Sequence, residues 1–181
     1  MLVLNFSRTA SLSTLAATLF VTSTLANAQS VTGTIDASIT LEATCSVGGI
    51  EGTGVDFGSL AFGSHSALFD QVDTEVAGGS GITVLCSPGV APTFTLVEGG
   101  NDGDAAPATH AMQNTEGGTF VGYTLYTDAA RTDLLALNGD IVLDPFTNTA
   151  QTISLYGRAF GSPGNLPAGT YEDTLQVQLA W

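Results

Sequence analysis

The sequence predicts an all-β fold of the sandwich or barrel kind, and three observations predict it. Residues 31–45, VTGTIDASITLEATC, alternate small or apolar side chains with polar ones without a break, which is the period of a half-buried strand. From residue 54 onward, short runs rich in β-branched and aromatic residues stand between clusters of Gly, Asn, Asp and Pro, the spacing of an all-β domain. After residue 28 no run carries apolar residues at helical spacing. Residues 129–137 come nearest and predict one short turn.

The first segment stands apart. Residues 1–28 carry a lone cation, Arg8, then a mostly apolar run over 12–25, and close on Ala26-Asn27-Ala28. That order predicts a secretory signal peptide cut before Gln29, hence an exported chain. The apolar run is shorter than the ~20 residues of a membrane span and is diluted by Ser and Thr, which disfavours an anchor.

Charge then narrows the partners. The formal net charge is −14; beyond residue 28 the basic residues are Arg131 and Arg158, there is no lysine, and all 17 acids are present. Nucleic acid and anionic membranes need a cationic surface, so the composition excludes them. Copies of such a chain repel one another unless something strong joins them.

Residues 31–45 are long for one strand. Fifteen extended residues reach ~50 Å, whereas a domain of the remaining length is ~40 Å across. Cys45 ends this run, and Cys86 is the other cysteine of the chain. In an exported protein the two predict one disulfide, stabilising by about 4 kcal/mol through closure of its loop.

The following elements are predicted as strands from their alternation and their bounding turns. GVDFGSLAFG carries Val55, Phe57, Leu60 and Phe62; GITVLC carries Ile82 and Val84; PTFTLVEGG carries Phe94 and Leu96. TFVGYTLYTD, DIVLDPF and QTISLYGRAFG follow. The last run, GTYEDTLQVQLAW, alternates again, with Tyr171, Leu175, Val177, Leu179 and Trp181 on one side.

Catalytic and metal chemistry find no pattern here, so no enzyme and no cofactor are predicted. Ser64-His65-Ser66 places a histidine beside hydroxyls, but neighbours in a strand face opposite ways. His65 and His110 both read as turn or surface histidines, and two histidines with two cysteines fall short of a structural zinc site. GGNDGD, residues 99–104, is one step from a calcium-binding glycine–aspartate repeat but occurs once, and reads as a solvated acidic hairpin loop. The two alternating ends carry the functional signal. A long, amphipathic, lysine-free strand at a sheet edge invites pairing with another chain.

Taken together, the motifs resemble the spore coat protein U domain family, the subunits of archaic chaperone–usher pili. The resemblance rests on the alternating segment ending at Cys45, Asp56-Phe57-Gly58, Cys86 within VLC, Met112, YTLY at 123–126, YGR at 156–158, and PAGTYEDTLQVQL. One departure is LALNGD, residues 135–140, where relatives more often place a tryptophan before the glycine.

The resemblance implies an incomplete immunoglobulin-like sandwich lacking its last strand, completed by a donor strand from a neighbouring subunit. It implies three segments: signal peptide 1–28, amino-terminal donor-strand extension 29–40, and pilin domain 41–181. Val31, Gly33, Ile35, Ala37, Ile39 and Leu41 would enter a neighbour's groove. Tyr171, Leu175, Val177, Leu179 and Trp181 would line the chain's own groove, where a periplasmic chaperone docks first, Trp181 with its carboxylate included. An outer-membrane usher would exchange chaperone for the next copy or a related pilin, head to tail, giving a surface fibre for adhesion or biofilm formation. Two other readings fit parts of the pattern: an eight-stranded outer-membrane β-barrel and a secreted monomeric sandwich binding module.

Overall fold

A computed structural model describes residues 29–162 and 165–181. The predicted signal peptide lies outside the described residues. The chain divides into two units, of which the second is Thr40–Trp181. In the first unit, residues 29–39 form no strand and are exposed throughout.

The described residues of Thr40–Trp181 form eleven strands in chain order. They are β1 (Cys45–Val47), β2 (Gln71–Glu75), β3 (Ile82–Cys86), β4 (Thr93–Gly99), β5 (His110–Asn114) and β6 (Phe120–Tyr126). Then come β7 (Asp140–Val142), β8 (Gln151–Ile153), β9 (Tyr156–Phe160), β10 (Tyr171–Glu172) and β11 (Leu175–Ala180). A single 3-10 turn, Val76–Gly79, is the only helical element among the described residues. Pairing is antiparallel throughout, in three sheets ordered β1-β3-β8, β10-β5-β6-β9-β2 and β11-β4-β7.

All three sheets feed one core. Val84 and Ile82 come from the first, Tyr123, Leu125 and Ala159 from the second, Phe94 and Leu96 from the third. This is the sandwich pattern, in which inward side chains alternate with outward polar ones along each strand; β3 reads buried, exposed, buried over ITVLC. Every sheet ends in edge strands, whereas a barrel leaves none. The barrel reading is therefore set aside.

Cys45 and Cys86 form the predicted disulfide. They sit opposite one another in the β1–β3 register, and Thr44 and Ser87 extend the pairing by one step, with Ser87 N–H donating to Thr44 O at 2.9 Å.

Several expectations fail at the level of pairing. The alternation of residues 31–45 is not one strand of this domain: residues 29–44 form no strand, and the domain's own first strand begins at Cys45. Alternation specifies which side chains could be buried, but a ladder needs a second strand. Residues 54–63 also form no strand. Asp56 accepts from the N–H of Gly58 at 2.7 Å, an Asx turn that breaks the extended run, and Gly58 and Gly63 both have positive φ. The inward series survives without a ladder, since Phe57 packs on Phe94 and Phe62 on Tyr123.

Gly157 of the YGR motif explains how this segment lies so close. A Cβ there would meet Leu60 Cδ2 at 2.7 Å and Phe62 Cζ at 3.0 Å. Residues 129–137 form turns and no helix. In LALNGD, Leu135 is buried, and Asn138 takes a left-handed conformation, its N–H bonding Leu96 O at 2.8 Å. Asn tolerates that region better than most residues.

Both arginines of this unit converge on one carboxylate. Arg158 on β9 faces Asp73 on β2 and donates through Nε and Nη2 at 2.7 and 2.9 Å. Arg131 Nε lies 3.5 Å from the same carboxylate while its guanidinium bonds Thr74 O and Gly157 O. The Arg158 hydrogen bonds, with the nearby Arg131 charge, hold the Asp73 carboxyl below its usual range against the opposing effect of burial. Because the folded-state pKa is depressed, the pair's stabilisation is complete above the ordinary carboxylate pKa. It is lost as pH falls through the folded value. Asp73→Asn should therefore lower stability at neutral pH and flatten the acid limb of a melting-temperature-versus-pH curve. The pair is partly exposed, so the effect should stay within about 1 kcal/mol; an unchanged acid limb would refute the assignment.

Candidate functional site

The last strand switches sheets. β10 pairs with β5 on one sheet, and two residues later β11 pairs with β4 on another. Both are edge strands, so the side of residues 171–180 away from β4 and β5 has no ladder partner. Beside that free edge opens a groove of about 1290 Å³. Its far wall is the irregular run 50–62, and its floor includes Phe94, Leu125, Ile82, Val76 and Met112.

Alternation places the apolar side of the last strand toward this space. Leu175, Val177 and Leu179 are half-buried against the core while Gln176, Gln178 and Ala180 point outward. Tyr171 lies at the other end, its hydroxyl donating to Pro167 O at 2.9 Å. Tyr171, Leu175, Val177, Leu179 and Trp181 all line the groove. Trp181 is 57% exposed, and its Nε1–H donates to Ala43 O at 3.3 Å.

The crossover itself is fixed by polar contacts. Asp173, in the middle of the sheet switch, accepts from Tyr123 Oη at 2.7 Å, Gly100 N at 3.0 Å and Asn101 Nδ2 at 3.1 Å. Burial, then the acceptor Asp173, pushes the Tyr123 phenol far above its usual range, so it remains a donor. Next to it, His110 is fully buried, its ring centroid 5.2 Å from that of Tyr123. Its Nδ1 lies 2.6 Å from Asp102 Oδ1, and the other Asp102 oxygen accepts from Gly99 N at 2.6 Å. His110 Nε2 has no partner among the described residues.

These contacts correct two readings. His110 is a core histidine on β5, not a surface one, and Asp102 folds back to partner its Nδ1. GGNDGD is not a wholly solvated loop for the same reason, since Asn101 and Asp102 both turn inward. His65, by contrast, is exposed, with Nε2 2.6 Å from Phe62 O. Among the described residues no group of three or more His, Cys, Asp or Glu side chains could hold a metal ion.

Sequence reasoning missed the far wall and the crossover. Asp173 carried a usable signal: it is the one polar member on the apolar side of Tyr171, Leu175, Val177 and Leu179. In residues 50–62 the series Val55, Phe57, Leu60 and Phe62 signalled burial, but it read as a strand and gave no sign that the run walls a groove.

The candidate donor residues are placed as follows. Val31, Ile35, Ile39 and Leu41 are 82–100% exposed, and Gly33 and Ala37 between them are exposed as well. A groove with a free edge and an apolar floor can take an extended segment with apolar residues at alternate positions. Main-chain hydrogen bonds to the edge would fix it and the floor would receive the side chains.

A family model for the Spore Coat Protein U domain matches residues 31–178. The chain belongs to the spore coat protein U domain family. The spore coat U match begins at Val31 and so takes in the extended segment that forms no strand here. No curated protein matches the sequence. Among solved structures, this spore coat U chain is similar to a chain in the crystal structure of the CsuC–CsuE chaperone–tip adhesion subunit pre-assembly complex, from the archaic chaperone–usher Csu pili of Acinetobacter baumannii. The two share 20% identity with a TM-score of 0.48, over 78% of this chain. The matched part is 40% of that longer chain.

Proposed function

We propose that this protein is a structural subunit of an archaic chaperone–usher pilus and polymerises by donor-strand exchange. The observation that carries the reading is the open apolar groove along the unpaired edge of β10 and β11. The groove asks for an alternating strand, and the same chain holds one at residues 31–41.

On this reading the chain is exported, and residues 29–40 act as the donor extension of domain 41–181. A periplasmic chaperone occupies the groove first, docking along Tyr171, Leu175, Val177, Leu179 and Trp181. At an outer-membrane usher, the extension of the next copy replaces it. Val31, Gly33, Ile35, Ala37, Ile39 and Leu41 enter the groove, the small residues where backbones pass closely. The contact is head to tail and does not close on itself, so it builds a filament for adhesion or biofilm formation at the cell surface. Burial of the donor side chains overcomes the repulsion between acidic copies.

The test is incorporation. Surface fibres sheared from cells that carry the protein should contain it as polymers that survive detergent without boiling. Ile35→Asp leaves the groove untouched but sets a charge on the donor's apolar side. It should abolish donation, leaving at most chain ends. Fibres that lack the protein, or an Ile35→Asp chain that polymerises like its parent, would refute the proposal.

A further inference from the structure

Three successive residues tie the start of the first strand to the domain. Cys45 is bonded to Cys86. Thr44 exchanges hydrogen bonds with Ser87, its N–H donating to Ser87 Oγ at 3.1 Å and its carbonyl accepting from Ser87 N–H at 2.9 Å. Ala43 is held by the Trp181 indole N–H at 3.3 Å. Before Ala43 the ties end: Leu41 is 83% exposed.

The third tie differs from the other two. Cys86 ends β3 and Ser87 follows it, whereas Trp181 follows β11 on a different sheet. Trp181 also lines the groove. A segment that fills the groove to this end must lie against the indole, and the indole N–H holds the carbonyl at the root of the chain's own extension. One ring therefore touches both the incoming position and the outgoing one.

We propose that Trp181 couples the two: it is the positioning residue that sets the angle at which a subunit's extension leaves a filled groove, and Ala43 is the first residue of the domain to be held. This rests on the pilus reading and adds to it a role for Trp181 separate from chaperone docking. A donor strand seated beside the indole presses the ring toward Ala43 and stiffens the joint, whereas an empty groove leaves the ring freer. The swivel then lies at residues 41–42, the step between the exposed Leu41 and the held Ala43.

The experiment uses the full chain with Trp181→Phe, which keeps a ring at the groove end and removes the N–H donor. Fibres of parent and variant are imaged by cryo-electron microscopy for the distribution of angles between successive subunits. Amide hydrogen exchange at Thr44 is measured on the same fibres. The expected result is a broader angular distribution in the fibres of the variant than in those of the parent. Exchange at Thr44 should be faster by up to about fivefold, the factor that a hydrogen bond of ~1 kcal/mol represents.

Identical angles and identical exchange would overturn the coupling while leaving the pilus reading standing. A parent chain that forms no fibre would overturn the pilus reading and this inference with it. Trp181→Ala, which removes the ring, should broaden the angles further; a variant as narrow as the parent would count against the proposal. Trp181 is the sole tryptophan, so its fluorescence gives an independent reading on the parent chain. Emission should shift to the blue when the groove fills, and an unchanged spectrum on assembly would show that the donor does not reach the indole.

Discussion

A synthetic peptide of residues 31–41 should raise the melting temperature of the domain 41–181 in a saturable way. The expectation follows from the groove. Val31, Ile35, Ile39 and Leu41 are exposed in the chain, and burying each in an apolar floor gains ~1.5–3 kcal/mol, roughly 6–12 kcal/mol together as an upper bound. That is comparable with the ~5–15 kcal/mol that holds a whole domain. A peptide added in trans acts by mass action, and at a hundredfold excess over its Kd contributes ~2.7 kcal/mol. For a domain of this size that corresponds to roughly 10 °C. The same peptide with Asp in place of Ile35 should leave the melting temperature where it was. A domain that already melts high and ignores the peptide would be complete without a donor. The groove would then be a ligand cleft of a secreted binding module, and the pilus reading would fall.

The second large effect is expected from removing the disulfide. Cys45 and Cys86 are both 4% exposed, and the bond spans a sequence separation of 41. Closing a loop of that length restricts the unfolded chain by about 4 kcal/mol. The double variant Cys45→Ala/Cys86→Ala should melt roughly 10–15 °C lower, and unlike a single variant it leaves no free thiol. Cys45 also lines the groove, so the variant should respond less to the peptide. A melting temperature within a few degrees of the parent would mean that Thr44–Ser87 and the β1–β3 ladder fix the first strand alone.

How much of this could be read in the sequence depends on where a strand finds its partner. GITVLC and TFVGYTLY were legible because β-branched and aromatic residues fill β3 and β6 on faces that are buried. β2 was not, since QVDTE exposes Gln71, Asp73 and Glu75 and covers only Val72 and Thr74. β5 escaped for the opposite reason. Its buried positions include His110 and Asn114, which look like surface residues until Asp102 is folded onto the imidazole.

The groove was half legible. Leu175, Val177 and Leu179 announced one wall through their period, but the opposite wall is built from turns at Asp56 and Gly58. Residues 31–45 were legible as a pattern but not as a pairing. Their alternation is that of a strand, yet pairing is a property of two segments, and among the described residues no strand forms before Cys45.

The disulfide has one more consequence, which is mechanical. Tension applied to the extension first loads the hydrogen bonds at Ala43 and Thr44 and at Cys45 meets a fork. One branch runs through the backbone of residues 46–85, and the other crosses directly to Cys86. The crosslink is the shorter, so it bears the load. The glycine-rich run that walls the groove lies on the slack branch, and a pulled subunit keeps the shape of its groove. Reduction would put that slack in series, releasing up to ~140 Å of chain at ~3.4 Å per residue. On the pilus reading, an oxidised fibre would be stiff link by link, and a reduced one would extend.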